Sequence, residues 1–201
     1  MADPVAPLVL ASASPRRREI LETLGLSFEV KKSGILEERR PGEGPEAYVR
    51  RLSAEKVDDV LAKLGQGGPP PYVLGADTTV VVDGDILDKP RDDAEARGMI
   101  ARLSGRGHRV LTGVALGRLG RGILGGIVVE TTVYFRALEA RTIDAYVASG
   151  EGRDKAGAYG IQGLGSGLVE RLEGSYFNVV GLPAAEVIVL LENHGALGRW
   201  P

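Results

Sequence analysis

The chain has 201 residues, 43% of them hydrophobic and 26% charged, and no cysteine. That length suits one domain, or two small lobes on a shared core, and the apolar fraction excludes wholesale disorder. Twenty-five basic against twenty-seven acidic residues give a net charge of −2, without the basic excess of a protein that binds long nucleic acid; the missing cysteines exclude disulfides, a thiolate nucleophile and Cys-ligated metal.

Met1–Pro7 has no basic region and no long apolar run, so no signal peptide is expected. The longest apolar stretch, Val187–Leu191, is far shorter than the roughly 20 residues of a membrane span. A soluble, cytoplasmic protein is expected.

Leu8–Ala11 reads as a buried strand. Ser14 then caps a helix with Pro15 at its first position, running to about Leu24 and closed by Gly25. Phe28–Lys31 reads as a second strand, followed by a polar stretch over 33–44 and a long helix from Pro45 to about Leu64. The Gly- and Pro-rich segment 65–71 is a surface loop and the best candidate hinge. Val73–Ala76 and Thr79–Val82 read as two strands, and Asp83-Gly84 as a hairpin turn into Ile86-Leu87.

Asp92 with Glu95 forms a capping-box pattern ahead of a helix whose apolar stripe is Ala96, Met99, Ile100 and Leu103. His108–Leu119 and Ile123–Phe135 read as paired strands around Gly120-Arg121-Gly122. A helix is expected over 139–148 with Ile143, Tyr146 and Val147 inward, then an irregular segment of seven glycines over 150–167, and a last helix from Pro183 to Gly195. The class is mixed α/β with a substantial antiparallel part, in a single domain over 1–201.

The placement of cations is unusual. Arg16, Arg17 and Arg18 fill the first turn of the helix that Ser14 caps, where the helix dipole prefers acidic groups. With Ser12, Ser14 and free backbone N–H groups they would make a phosphate site; equally, they read as a solvated helix start paired with Glu19 and Glu22. Lys56 falls inside the apolar face formed by Val49, Leu52, Val57, Val60 and Leu64. It is either a snorkelling lysine or one aimed at a phosphate or carboxylate.

Asp77, between two apolar strands, suits a catalytic acid or base, and suits an Asx turn better. Asp88-Lys89-Pro90 reads alone as a loop. The glycine-rich run 157–165 matches neither the P-loop nor the dinucleotide-binding pattern. Within it, Gln162 offers an amide that can donate to and accept from a base edge, or it sits in a flexible loop.

Taken together, several of these pieces resemble the Maf family of nucleotide pyrophosphatases. They are Ser12–Arg17, Ala54-Glu55-Lys56, Gly75–Thr78, Asp88-Lys89-Pro90, Asp154–Gly163 and Gly174–Pro183, in the family's order and covering residues 8 to about 191. The resemblance implies an ITPase-like fold, a mixed twisted sheet with flanking helices and two lobes around a central cleft, and a homodimer. It implies hydrolysis of dTTP and UTP, and of CTP or modified pyrimidine nucleotides, to the monophosphate and pyrophosphate, which keeps non-standard nucleotides from misincorporation. The divalent cation implied is Mg²⁺ or Mn²⁺.

By position, Asp77 matches the family's proposed base, and Ser12, Arg16, Arg17, Lys56 and Lys89 match its phosphate-binding set. Glu37 matches an acidic metal ligand, sharing the ion with Asp77. Arg16, Thr78 and Gln162 match positions linked to substrate choice. Gly160-Ile161-Gln162-Gly163 looks like the dTTP/UTP branch, whereas the branch acting on 7-methyl-GTP carries a Ser-Glu-Gly type sequence there. The family often has Asp-Glu where this chain has Leu36-Glu37, and a tryptophan where it has Gly152, a change expected to loosen the loop. The alternatives are a 7-methyl-GTP-type enzyme and a septum-formation regulator that acts by binding.

Overall fold

The computed structural model describes residues 6–65, 69–198 and 200. Gln66, Gly67 and Gly68, the centre of the expected hinge loop, lie outside the described residues.

Among the described residues seven strands form one mixed sheet in the order β2-β1-β3-β5-β6-β7, with β4 paired to β3. Strand β1 (Leu8–Leu10) leads into helix α1 (Pro15–Thr23), and strand β2 (Glu29–Val30) returns parallel to β1. Helix α2 (Pro45–Lys63) then leads to strand β3 (Tyr72–Val82), which lies parallel to β1 on its other side. Strand β4 (Asp85–Leu87) pairs antiparallel with β3 across Asp83-Gly84, whose φ values of 54° and 85° match the turn the Asp-Gly pair predicts.

Helix α3 (Asp93–Leu103) is capped by the Asp92 carboxylate, which accepts from Glu95 N–H at 2.8 Å. The reciprocal half of the box is displaced by one residue: the Glu95 carboxylate accepts from Arg91 N–H at 2.7 Å. The long strands β5 (Gly107–Arg118) and β6 (Gly122–Phe135) are followed by helix α4 (Ala140–Ala148). In the glycine-rich segment two short 3-10 turns form, over Ala156–Ala158 and Gly163–Gly167. Strand β7 (Val169–Glu173) and helix α5 (Tyr176–Val180) follow, neither expected from sequence, and helix α6 (Ala184–Asn193) ends the fold.

The chain divides into two compact units, one of residues 1–77, 112–129 and 181–201, the other of 78–111 and 130–180. In the first unit, Val57 and Val60 of α2 pack with Val9, Ala11, Val73 and Ala115. In the second, the stripe of α3 packs with Val110, Val133, Phe135, Ile143 and Tyr146. His108 is buried there, its Nε2 2.7 Å from the Tyr159 hydroxyl, and burial lowers its pKa to about 4. That histidine stays neutral at physiological pH and belongs to the core.

One packing detail positions the site. Gly75 of β3 lies against α2 so closely that a Cβ there would sit 2.5 Å from Ser53 O and 2.8 Å from Val57 Cγ2. Gly113 of β5 meets the same helix, where a Cβ would lie 2.3 Å from Val49 O. No side chain fits at either contact, so α2 lies directly on the strand backbones. We expect G75A to push α2 off β3 and cost about 1–3 kcal/mol, as overpacking does. Urea denaturation of wild type and variant measures this; an unchanged midpoint would contradict the close approach.

Candidate active site

The site starts at the end of β1. Ser12 Oγ accepts from Ser14 N–H at 3.1 Å, bending the chain into the cap of α1. Ser14 Oγ accepts in turn from Arg17 N–H at 3.5 Å. The three arginines of this first turn then part ways. Arg18 is exposed and pairs with Glu22 at 2.7 Å. Arg16 is half-buried.

Arg17 is buried. Its Nε donates to Gly181 O at 2.8 Å, and its Nη1 to Ala76 O at 2.8 Å and to Ser12 Oγ at 3.3 Å. Burial pulls this guanidinium below the ordinary arginine value, against the opposing fields of Asp77 and Glu37. The phase of Arg17 with Ile20 and Leu21, its buried neighbours at i+3 and i+4, is the sequence signal that separates it from Arg16.

Lys56 is the second element. It is 6% exposed on the apolar face of α2, as the helical wheel predicts, and it does not snorkel to water. Its Nζ lies 2.6 Å from Asp77 Oδ1, 2.6 Å from Glu37 Oε1 and 3.4 Å from Ala76 O. Of the two readings open for it, a carboxylate target is the one realised.

Asp77 is 6% exposed. The expected break at this residue does not occur: Tyr72–Val82 is one continuous strand with Asp77 inside it. An Asx turn needs the carboxylate to bond nearby backbone, and here Oδ1 is taken by Lys56 instead. Burial pushes the Asp77 carboxyl above the usual carboxylate range, opposed by the charges of Lys56 and Arg17.

Glu37 is 39% exposed at its side chain. Its segment, which has no regular structure, is fastened to α2. Tyr48 Oη donates to Glu37 O at 3.2 Å, and Arg51 Nη2 donates to Glu38 O at 2.9 Å. Arg51 also grips Glu43 at 2.6 Å and Glu55 at 3.0 Å, and that grip holds the Glu43 carboxyl down to about 2. Tyr48, Arg51 and Glu55 stand one turn apart along α2. That spacing is visible in the sequence, but the loop they hold is not.

Ser12, Arg17, Lys56, Asp77 and Glu37 are thus drawn together within the first unit. Arg16 belongs to that unit too, and Thr78, Lys89 and Gln162 belong to the second. Thr78 is half-buried on β3, Lys89 is exposed between β4 and α3, and Gln162 is exposed ahead of the second 3-10 turn. Gly152 does not loosen its loop: it is buried, and a Cβ there would lie 1.9 Å from Ala158 O. Among the described residues no group of three His, Asp or Glu side chains converges on a metal position, and no helix is long and apolar enough to cross a membrane.

The family model described as Maf-like protein matches residues 7–194. The chain belongs to the Maf family. It is 50% identical over 190 residues to a dTTP/UTP pyrophosphatase of Shigella dysenteriae serotype 1, covering 94% of each chain. It is 49% identical over 187 residues to a dTTP/UTP pyrophosphatase of Vibrio cholerae serotype O1, covering 93% of this chain and 97% of that one. A crystal structure of a nucleoside-triphosphatase / dITP/XTP pyrophosphatase from Mycobacterium abscessus aligns over 94% of both chains with 14% identity and a TM-score of 0.44.

In this Maf chain a buried carboxyl depends on a buried ammonium. Removing Lys56 takes away the direct partner of Asp77, and breaking a buried pair typically costs about 3–5 kcal/mol. Because the folded-state pKa of Asp77 is raised, its stability contribution is present at low pH and lost as pH rises through that value. The penalty of K56M is therefore expected to be largest at neutral pH and to shrink on acidification. Urea midpoints over a pH series measure it, and a penalty independent of pH would mean the ammonium does not compensate Asp77.

Proposed function

We propose that this Maf chain is a nucleoside triphosphate pyrophosphatase that hydrolyses dTTP and UTP to the nucleoside monophosphate and pyrophosphate. The reading is carried by one observation: the carboxyl whose position matches the family's base is buried, held by a lysine at 2.6 Å and shifted toward higher pKa. Identity of about half over nearly the whole length of dTTP/UTP pyrophosphatases supports the substrate class.

The reaction adds water across a phosphoanhydride bond between the α and β phosphorus atoms. Asp77 would take the proton from the attacking water, while Lys56 fixes the carboxylate's direction through Oδ1. Burial raises the proton affinity of that carboxylate, which suits a base working near neutral pH. Negative charge moves to the leaving pyrophosphate, and cations aimed at it lower the barrier. Arg16, Lys56 and Lys89 are the proposed phosphate-binding cations. Arg17, whose Nε and Nη1 also donate to backbone carbonyls, is proposed to join them. Ser12 is fixed beside Arg17. Thr78 and Gln162 are proposed to meet the base, with the Gln162 amide reading the pyrimidine edge.

The donors present fit a hard divalent cation, Mg²⁺ or Mn²⁺. Asp77 and Glu37 both place a carboxylate oxygen 2.6 Å from one cationic centre, the Lys56 ammonium. One or two carboxylates, completed by water and substrate phosphate, is the usual protein share of a Mg²⁺ shell. Asp77 and Glu37 would hold the ion, which when bound supplies neutralisation of phosphate charge. A cytoplasmic location and a homodimer belong to the same reading and rest on the family likeness.

D77N keeps the size of the side chain and removes its basicity. It is expected to lower dTTP turnover by at least about 100-fold, with nucleotide binding retained by equilibrium dialysis. Turnover close to wild type would remove Asp77 from the role of base.

A further inference from the structure

Glu151 is a half-buried carboxylate that the proposed chemistry does not use. It follows α4 by a short turn in which Ser149 Oγ accepts from Glu151 N–H at 3.3 Å. Both of its carboxylate oxygens are engaged. Oε2 accepts from Leu164 N–H at 2.8 Å, and Oε1 accepts from Gly165 N–H at 2.8 Å and from the Tyr146 hydroxyl at 3.0 Å. That hydroxyl also accepts from Gly160 N–H at 3.1 Å. The two residues therefore grip backbone on both sides of Ile161-Gln162-Gly163.

The fit leaves no slack. Gly163 has a φ of 64°, and a Cβ there would lie 2.5 Å from Glu151 Oε2. A Cβ at Gly165 would lie 1.9 Å from Gly160 O. Seven glycines would otherwise make this segment one of the most adaptable in the chain. Two charge-assisted bonds to consecutive backbone N–H groups fix it. Those bonds stabilise the ionised carboxylate and outweigh its partial burial, so the net pKa shift is downward.

We propose that Glu151 is a positioning residue for base selection: it holds the 162–165 backbone so that the Gln162 amide is presented in one orientation. This rests on the reading of Gln162 as the group that meets the pyrimidine. Selectivity built on hydrogen bonds requires a fixed partner, because an amide free to move can adapt to the wrong edge. Glu151 would then set the preference for pyrimidine over purine triphosphates without touching either.

The test uses the full-length enzyme. E151Q keeps the volume but offers an NH₂ group where one backbone N–H needs an acceptor. Three readouts are taken: hydrogen exchange of the Leu164 and Gly165 amides, the ratio of kcat/KM for dTTP to that for dGTP, and the split between kcat and KM. Faster exchange is expected, with a preference for dTTP reduced about tenfold, mainly through a higher KM. A merely structural role would instead lower active enzyme for both substrates alike and leave the ratio unchanged.

Q162A separates the inference from the reading beneath it. If Q162A erodes the preference and E151Q loosens the loop without doing so, Glu151 has no part in selection and the Gln162 reading stands. If Q162A leaves the preference intact, the Gln162 reading fails and the inference falls with it. Should E151Q not fold, Y146F removes the hydroxyl between Glu151 and Gly160 N–H while keeping the ring. It is expected to show a smaller loss of the same kind, and unchanged exchange with an unchanged ratio would overturn the proposal.

Discussion

The contact between Lys56 and Asp77 is the constraint on which the first unit of this Maf chain is arranged. Two charges at 6% exposure each are costly alone and tolerable together. Once Asp77 sits inside β3, α2 must bring an ammonium to it, and the helix must lie close enough for a lysine to reach. The glycines at 75 and 113 provide that distance by letting helix backbone rest on strand backbone. Arg17 completes the frame from the other side, binding Ala76 O next to the carboxyl and Gly181 O ahead of α6. The site is held by backbone carbonyls as much as by charge pairs.

This arrangement gathers cations at the site while the net charge of the chain stays at −2. Of the cations near the site, Arg17 donates to the carbonyls of Gly181 and Ala76, and Lys56 is shared between two carboxylates. Exposed arginines elsewhere pair with local acids, as Arg18 does with Glu22 and Arg40 with Glu55. Positive charge is localised rather than accumulated. Glu37 differs from Asp77 in exposure, with 39% of its side chain open. The proposed metal role suits a ligand that water can reach, and the proposed base a carboxyl buried beside its lysine.

Local chemistry was legible in the sequence. Ser14 and Asp92 cap their helices, Gly25 adopts φ 71° after α1, and Asp83-Gly84 turns the hairpin. Each depends on neighbours within a few residues. The anomalous place of Lys56 was legible too, because helical periodicity alone puts it among apolar residues. Its partner was not, since Asp77 meets it only through the tertiary packing of α2 on β3. That same long-range bond overrode the turn preference of Asp77 and joined two expected strands into one. The burial of Arg17 was hidden among three like residues. β7 is short and mostly exposed, paired to β6 along one side, so it carries no apolar run to read. The grip of Glu151 was invisible for a related reason: its partners are backbone N–H groups of a glycine segment, which leave no trace in side-chain pattern.

The central claim is that folding delivers Asp77 to its position as a carboxyl of raised proton affinity. A ¹³C NMR titration of side-chain carboxyls, with Asp77 assigned by its absence in D77N, tests this directly. The account predicts a resonance that titrates above the ordinary aspartate value of about 3.9. An Asp77 that titrates at or below that value would contradict it.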